Sequence, residues 1–103
     1  MLFYRDNREV VMTNQILIKE VAPRDGLQAQ PQQLTLEQRQ RLIESLAVTG
    51  VPELEIGSFV SPKAVPQMAG TDVLAAQLPT ADLAYSVLVP NMKGYELALA
   101  AGM

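Results

Sequence analysis

Ile16-Leu17-Ile18-Lys19-Glu20-Val21-Ala22 runs directly into Pro23-Arg24-Asp25-Gly26. The first seven residues are mostly apolar or β-branched, and Pro followed by Asp-Gly demands a turn, so the stretch reads as a buried strand entering a loop. The loop continues through Gln28, Gln30, Pro31, Gln32 and Gln33 to Thr35, which has Gln38 three positions later, the spacing of a capping box. A helix is predicted from there. Leu36, Leu42, Ile43, Leu46 and Ala47 fall on one stripe, Glu37 precedes Arg41 by four on the outer side, and Gly50 supplies a stop.

The pattern then repeats. Val51-Pro52-Glu53-Leu54-Glu55-Ile56 alternates with period two, which places Glu53 and Glu55 on one face of a second strand and Leu54 and Ile56 on the other. Ser61-Pro62 is an N-cap with Pro at the first helical position, predicting a short helical turn over 63–65 that Pro66 interrupts. A longer helix is expected from Thr71 or Asp72 to before Pro79, with Val73, Leu74 and Leu78 inward. Residues 83–89 read as a third strand, Pro90-Asn91 as a turn and cap, and 92–101 as a helix with Tyr95 and Leu99 on one face and Gly102 past its end. Strand and helix alternating three times indicate an α/β fold with a parallel sheet. Such a sheet is either a small open domain or the first three βα units of a (β/α)8 TIM barrel, which needs about 250 residues. Glu20, Arg24, Asp25 and Glu55 gather at the carboxyl ends of successive strands, where barrels build their sites, and this favours the barrel.

Composition narrows the chemistry. In 103 residues, 49% hydrophobic and 18% charged side chains with a mean hydropathy of +0.11 suit a folded domain. A net charge of -3 and a pI near 4.8 offer no cationic field for nucleic acid or an anionic membrane, so neither is an expected partner. With no Cys and no His, disulfides, thiolate or imidazole metal sites and Ser-His catalysis are excluded, leaving carboxylates, Arg, Lys or Tyr to act. No apolar run approaches the ~18 residues of a membrane span. Residues 1–15, with Arg5, Asp6, Arg8 and Glu9, fit neither a secretory signal nor a transit peptide and are expected to be a poorly ordered extension, with Met12 as an alternative start. Residues 16–103 would then form the folded part, with a cytoplasmic location.

Each chemical candidate has a bland counterpart. Arg24-Asp25-Gly26 is most simply a solvated turn. Functionally, Asp25 would offer a hard oxygen to Mg2+ or Mn2+, and Arg24 would hold a carboxylate or a developing oxyanion. Glu55, inside a strand with Glu53 in phase, faces water at an open sheet or else points into a barrel interior, where Arg24, a metal or a hydrogen-bond network must offset its burial. Capping accounts for Ser61 and Pro62, Lys63 reads as a surface charge, and Asn91 opens a helix whose N-terminus could face an anionic substrate.

Three blocks in order, 20–28 (EVAPRDGLQ), 55–68 (EIGSFVSPKAVPQM) and 89–94 (VPNMKG), resemble the hydroxymethylglutaryl-CoA lyases, of the metal-dependent barrel lyase and aldolase superfamily. The resemblance runs from about Ile16 to Met103. It implies cleavage of 3-hydroxy-3-methylglutaryl-CoA to acetyl-CoA and acetoacetate, in leucine breakdown and ketone-body formation, with a divalent metal, Mg2+ or Mn2+, an acyl-CoA substrate and a homodimer at full length. By position it makes Asp25 a metal ligand and base near the C3 hydroxyl. Arg24 would stabilise the enolate, Glu55 and Ser58 would stand beside metal and substrate, and Glu20 would brace Arg24. The family's other metal ligands, a His pair and an Asn on later strands, and its cysteine acid lie beyond these residues, and around Ala29-Gln30-Pro31 the family is more polar. The expectation is therefore the N-terminal part of such a lyase, inactive alone, with an unpaired edge on its third strand that makes it unstable or aggregation-prone. Rival readings are a sister lyase for a longer 3-hydroxy-3-substituted glutaryl-CoA, and a noncatalytic α/β module that self-associates through its open edge.

Overall fold

The computed structural model describes residues 1–6 and 16–103. Most of the N-terminal extension, and the alternative start at Met12, lie outside the described residues. Strand β1 (Leu2–Asp6) and strand β2 (Lys19–Glu20) precede helix α1 (Leu36–Ala47); strand β3 (Glu53–Ser58), helix α2 (Thr71–Ala76), strand β4 (Ala84–Leu88) and helix α3 (Met92–Ala100) follow. The sheet has the order β1-β4-β3-β2. β2 pairs parallel with β3 and β3 parallel with β4, whereas β1 is antiparallel to β4. The α/β pattern with a parallel core is therefore as the sequence predicts.

α1 begins where the capping box puts it. Thr35 Oγ1 accepts from Gln38 N at 3.1 Å, and Gln38 Oε1 accepts from Thr35 N at 2.9 Å, satisfying two donors the first turn would leave unpaired. Its buried face carries Arg39, Ile43 and Ala47, with Leu46 partly buried and Leu36 largely exposed. Leu54 and Ile56 of β3, Tyr85 and Val87 of β4, Leu74 and Ala75 of α2 and Ala98 of α3 complete the core between helices and sheet.

The structure departs from the sequence reading in three places. The first parallel strand is two residues long rather than seven, and Ile16, Leu17 and Ile18 stand out of the core, Ile16 at 92% exposure. Only β3 flanks this strand among the described residues, so nothing pulls its apolar face inward. The chain before Ile16 was expected to hold no element, yet Leu2–Asp6 is a strand. It occupies the outer side of β4, so the edge expected to be unpaired on the third parallel strand is paired. Finally, Pro66 opens a 3-10 turn, Pro66–Met68, rather than interrupting a helix, since a missing N–H costs nothing at a first helical position.

β3 carries a bulge. Glu55 is opposite Ser86 and Gly57 opposite Val87, so Ile56 is the extra residue. In a regular strand residues 55 and 58 would face opposite sides; the bulge shifts the phase and sets Glu55 and Ser58, opposite Ser86 and Leu88, on the same side. The bulged backbone comes close to α2, and a Cβ on Gly57 would lie 2.8 Å from Thr71 Oγ1.

Candidate functional site

The turn after β2 is built by one carbonyl. Val21 O accepts from the N–H groups of Arg24, Asp25 and Gly26 at 3.1, 2.8 and 3.2 Å, the last closing a wide i to i+5 turn over Ala22–Gly26. Glu20 Oε1 accepts from Ala22 N at 3.0 Å and fixes the start of that turn. Wide turns of this kind recur at functional sites because they re-aim side chains. Here the turn swings Arg24 onto Glu55 of β3.

Arg24 Nε donates to Glu55 Oε1 at 2.9 Å, and its Nη1 donates to Asp25 Oδ1 at 3.2 Å. Lys19 Nζ, one strand over, lies 3.2 Å from Glu53 Oε2 and 3.5 Å from Glu55 Oε2. Glu55, whose side chain is only 2% exposed, is thus held from both sides by cations. Removing a carboxylate from water is costly, and the hydrogen-bonded guanidinium of Arg24 together with the nearby Lys19 ammonium supplies the offset. Arg24 is mostly buried by contrast with Asp25, whose side chain is 66% exposed. The arrangement is an anchored guanidinium beside an accessible carboxylate at the carboxyl end of parallel strands.

The predicted residues fall into three groups. Arg24, Asp25 and Glu55 come together. Glu20 does not meet Arg24 in a hydrogen bond or ion pair; it braces the turn through Ala22, and Glu55 is the carboxylate that holds the guanidinium. Ser58 shares the side of Glu55, but it is buried and its Oγ donates to Leu88 O at 3.2 Å, so the hydroxyl is engaged within the sheet. Asn91 Oδ1 likewise accepts from Gly94 N at 2.9 Å as the cap of α3, beside a cavity of about 570 Å³ lined by Met1, Val89, Pro90 and Tyr95. Lys19 was not anticipated. Its signal was its place inside a strand in register with Glu53, which only the parallel pairing reveals.

A divalent metal asks for several oxygen or nitrogen ligands converging on one point. Among the described residues no three of His, Cys, Asp and Glu converge in this way. Asp25 is an accessible carboxylate but stands beside a cation, and Glu55 is turned to Arg24 and Lys19. These residues do not make a metal site by themselves.

Over 99 residues the chain is 50% identical to an (R)-citramalyl-CoA lyase from Chloroflexus aurantiacus, covering 85% of this chain and 31% of that protein. Against a hydroxymethylglutaryl-CoA lyase from Pseudomonas mevalonii it is 50% identical over 88 residues, 84% of this chain and 29% of the relative. Among solved structures, a hydroxymethylglutaryl-CoA lyase from Pseudomonas aeruginosa superposes with a TM-score of 0.83 at 42% identity, over 86% of this chain and 30% of that one. Over most of its length the chain is similar to one part of the hydroxymethylglutaryl-CoA lyases and of an (R)-citramalyl-CoA lyase. It spans about a third of the length of the relatives it matches. A further member, from Acinetobacter baumannii, is similar at a TM-score of 0.79 and 32% identity over 90% of this chain and 31% of that one, and is in complex with coenzyme A and 3-methylmalate. No protein-family model matches the chain.

Proposed function

We propose that these residues form the opening part of a (β/α)8 carbon-carbon lyase that cleaves 3-hydroxy-3-methylglutaryl-CoA to acetyl-CoA and acetoacetate, a reaction of leucine breakdown and ketone-body formation. The observation that carries this reading is the guanidinium of Arg24, pinned through Nε by buried Glu55 and placed beside accessible Asp25 at the strand ends. Cleavage needs a base for the C3 hydroxyl proton and a positive group where charge develops on the thioester oxygen. As the C2–C3 bond breaks, its electron pair becomes the enolate of acetyl-CoA and C3 becomes a ketone. Asp25 takes the hydroxyl proton and Arg24 stabilises the enolate oxygen. Glu55, itself paired with Lys19, holds the guanidinium so that little reorganisation is needed as charge forms.

Arg24 commits two donors, to Glu55 and Asp25, and a guanidinium has five, which leaves the fork able to receive a substrate oxygen. Ser58 acts by fixing the end of β3 unless its hydroxyl leaves Leu88 for the substrate. Asp25 would contribute a single ligand to a Mg2+ or Mn2+ ion, whose chemistry when bound is to polarise the substrate hydroxyl. The acid that protonates the enolate carbon, a cysteine by the resemblance, would come from outside these residues, which contain no Cys. An acyl-CoA partner follows from the names of the relatives and from coenzyme A bound to one of them. A homodimer at full length and a cytoplasmic location belong to the same reading. By itself the 103-residue chain would be a noncatalytic α/β module, which the dispersed carboxylates favour.

The test is a chimera in which residues 16–103 replace the corresponding segment of the Pseudomonas mevalonii lyase. It is assayed with Mg2+ and with Mn2+ for acetyl-CoA release from 3-hydroxy-3-methylglutaryl-CoA, a longer 3-substituted homologue and citramalyl-CoA. We expect cleavage, fastest with the first, and a fall of at least about 100-fold in kcat for Arg24→Met, in line with losing one oxyanion-stabilising group. A chimera with native circular dichroism and no cleavage of any of the three would overturn the proposal. Preference for either other thioester would reassign the substrate while keeping the chemistry.

A further inference from the structure

β4 has β3 on one side in parallel and β1 on the other in antiparallel. In a sheet built from repeated βα units that outer place belongs to another parallel strand. Residues 2–6 fill it with five register pairs, from Leu2 opposite Leu88 to Asp6 opposite Ala84, and Val89 N donates to Met1 O at 3.0 Å. Side chains secure the strand from the helix side. The ring of Phe3 meets that of Tyr95 edge to face with centroids 5.2 Å apart. Arg5 donates from Nε and Nη2 to Gly102 O at 3.2 and 2.7 Å, and from Nη1 to Ala75 O at 3.4 Å. One side chain thereby serves carbonyls at the ends of both α2 and α3, groups that helices leave unpaired.

We propose that residues 1–6 are an exchangeable edge strand that closes β4 against pairing with any other strand. A segment that extends the sheet in parallel at β4 must first displace them. When they leave, the uncovered edge pairs with a second copy of this chain. An open strand edge is a template for intermolecular pairing, and an antiparallel cap from the same chain removes it without lengthening the sheet. The inference stands apart from the proposed activity, since it concerns the opposite edge of the sheet from the Arg24 turn.

Amide hydrogen exchange on the intact chain reads this directly. Ala84 N donates to Pro52 O and Leu88 O accepts from Phe59 N, so the amides of Ala84, Ser86 and Leu88 face β3. By the same alternation those of Tyr85, Val87 and Val89 face β1. Both sets should be protected, the β1-facing set at least about 100-fold over unstructured rates and opening more readily than the other. The double variant Phe3→Ala/Arg5→Ala should raise exchange of the β1-facing set by about tenfold while the β3-facing set changes little. In the Ile16→Lys/Ile18→Lys background, where charge blocks association through β2, deleting residues 1–6 should abolish protection of the β1-facing set in dilute solution and produce dimers by sedimentation as concentration rises. The proposal is overturned if Tyr85, Val87 and Val89 exchange at unstructured rates in the intact chain. It is equally overturned if both sets respond alike to the double variant, or if the deleted chain stays monomeric.

Discussion

Glu55 shows how much a single residue can hide from its sequence. With Glu53 in phase it fits a wet sheet face as well as a buried one, and alternation cannot say which. The structure resolves the matter through partners that are distant in sequence: Arg24 at 2.9 Å and Lys19 at 3.5 Å. Glu55→Gln keeps the shape and removes the charge, leaving two partly exposed cations underpaired. Stability in urea should fall by about 1–3 kcal/mol, below the full cost of breaking a wholly buried pair because Arg24 and Lys19 keep some solvent. A change under about 0.5 kcal/mol would identify Glu55 as a solvated face residue after all. Arg39 was equally illegible. It lies four residues before Ile43 on the buried side of α1, its guanidinium donating to Ala69 O and Thr71 Oγ1 with Nε unpartnered among the described residues, and burial lowers its proton affinity. A long apolar stem lets an arginine occupy such a stripe, which a residue-type pattern does not register. Tyr85 gives a pH signature. Burial raises its phenol above the usual tyrosine range, with the charge of Arg5 opposing, and its hydroxyl donates to Pro79 O. An acid whose folded pKa exceeds its unfolded value binds more protons when folded, so stability should decline as pH rises above about 10. Tyr85→Phe should remove that decline in pH-dependent denaturation while costing about 1 kcal/mol at neutral pH through the lost hydrogen bond.

At the scale of elements, local chemistry was legible and pairing was not. Thr35 and Gln38 announce the start of α1, and the structure forms both hydrogen bonds of that box. Helix α2 also starts at Thr71, although it stops at Ala76 and has no side-chain cap, and β4 falls inside the predicted residues 83–89. The bulge in β3 is different, since it exists only relative to β4. It decides which side Ser58 takes, and it depends on space at Gly57, where a methyl group would stand 2.8 Å from Thr71 Oγ1 and 3.4 Å from Arg39 Nη2. Gly57→Ala should therefore destabilise by about 1–3 kcal/mol through overpacking, with no contribution from a left-handed backbone. Thermal unfolding at fixed concentration measures it. A neutral result would mean that α2 can move away from the sheet, and hence that the Arg39–Thr71 link does not hold the end of β3.

For the whole molecule, the two edges of the sheet are unequal. β4 is covered by β1, while β2 is two residues long and is preceded by Ile16, Leu17 and Ile18, all strongly exposed at 92%, 59% and 67%. A strand edge next to three large apolar side chains is the combination that soluble proteins usually suppress with charge. The sequence marked this stretch as the buried strand of a parallel sheet, and its composition is right for that role. Burial, however, needs a neighbour on each side, which one stretch of sequence cannot supply. Self-association of the isolated chain should accordingly proceed through β2 and follow concentration. Ile16→Lys with Ile18→Lys would put charge on that edge without touching the core, because neither side chain packs against it. Sedimentation should shift toward monomer, and the thermal midpoint at low concentration should stay within a few degrees, since substitutions at exposed sites usually change stability by less than about 0.5 kcal/mol. If association persists unchanged while Tyr85, Val87 and Val89 lose protection, the edge in use is β4, and the strand formed by residues 2–6 is the weaker of the two closures.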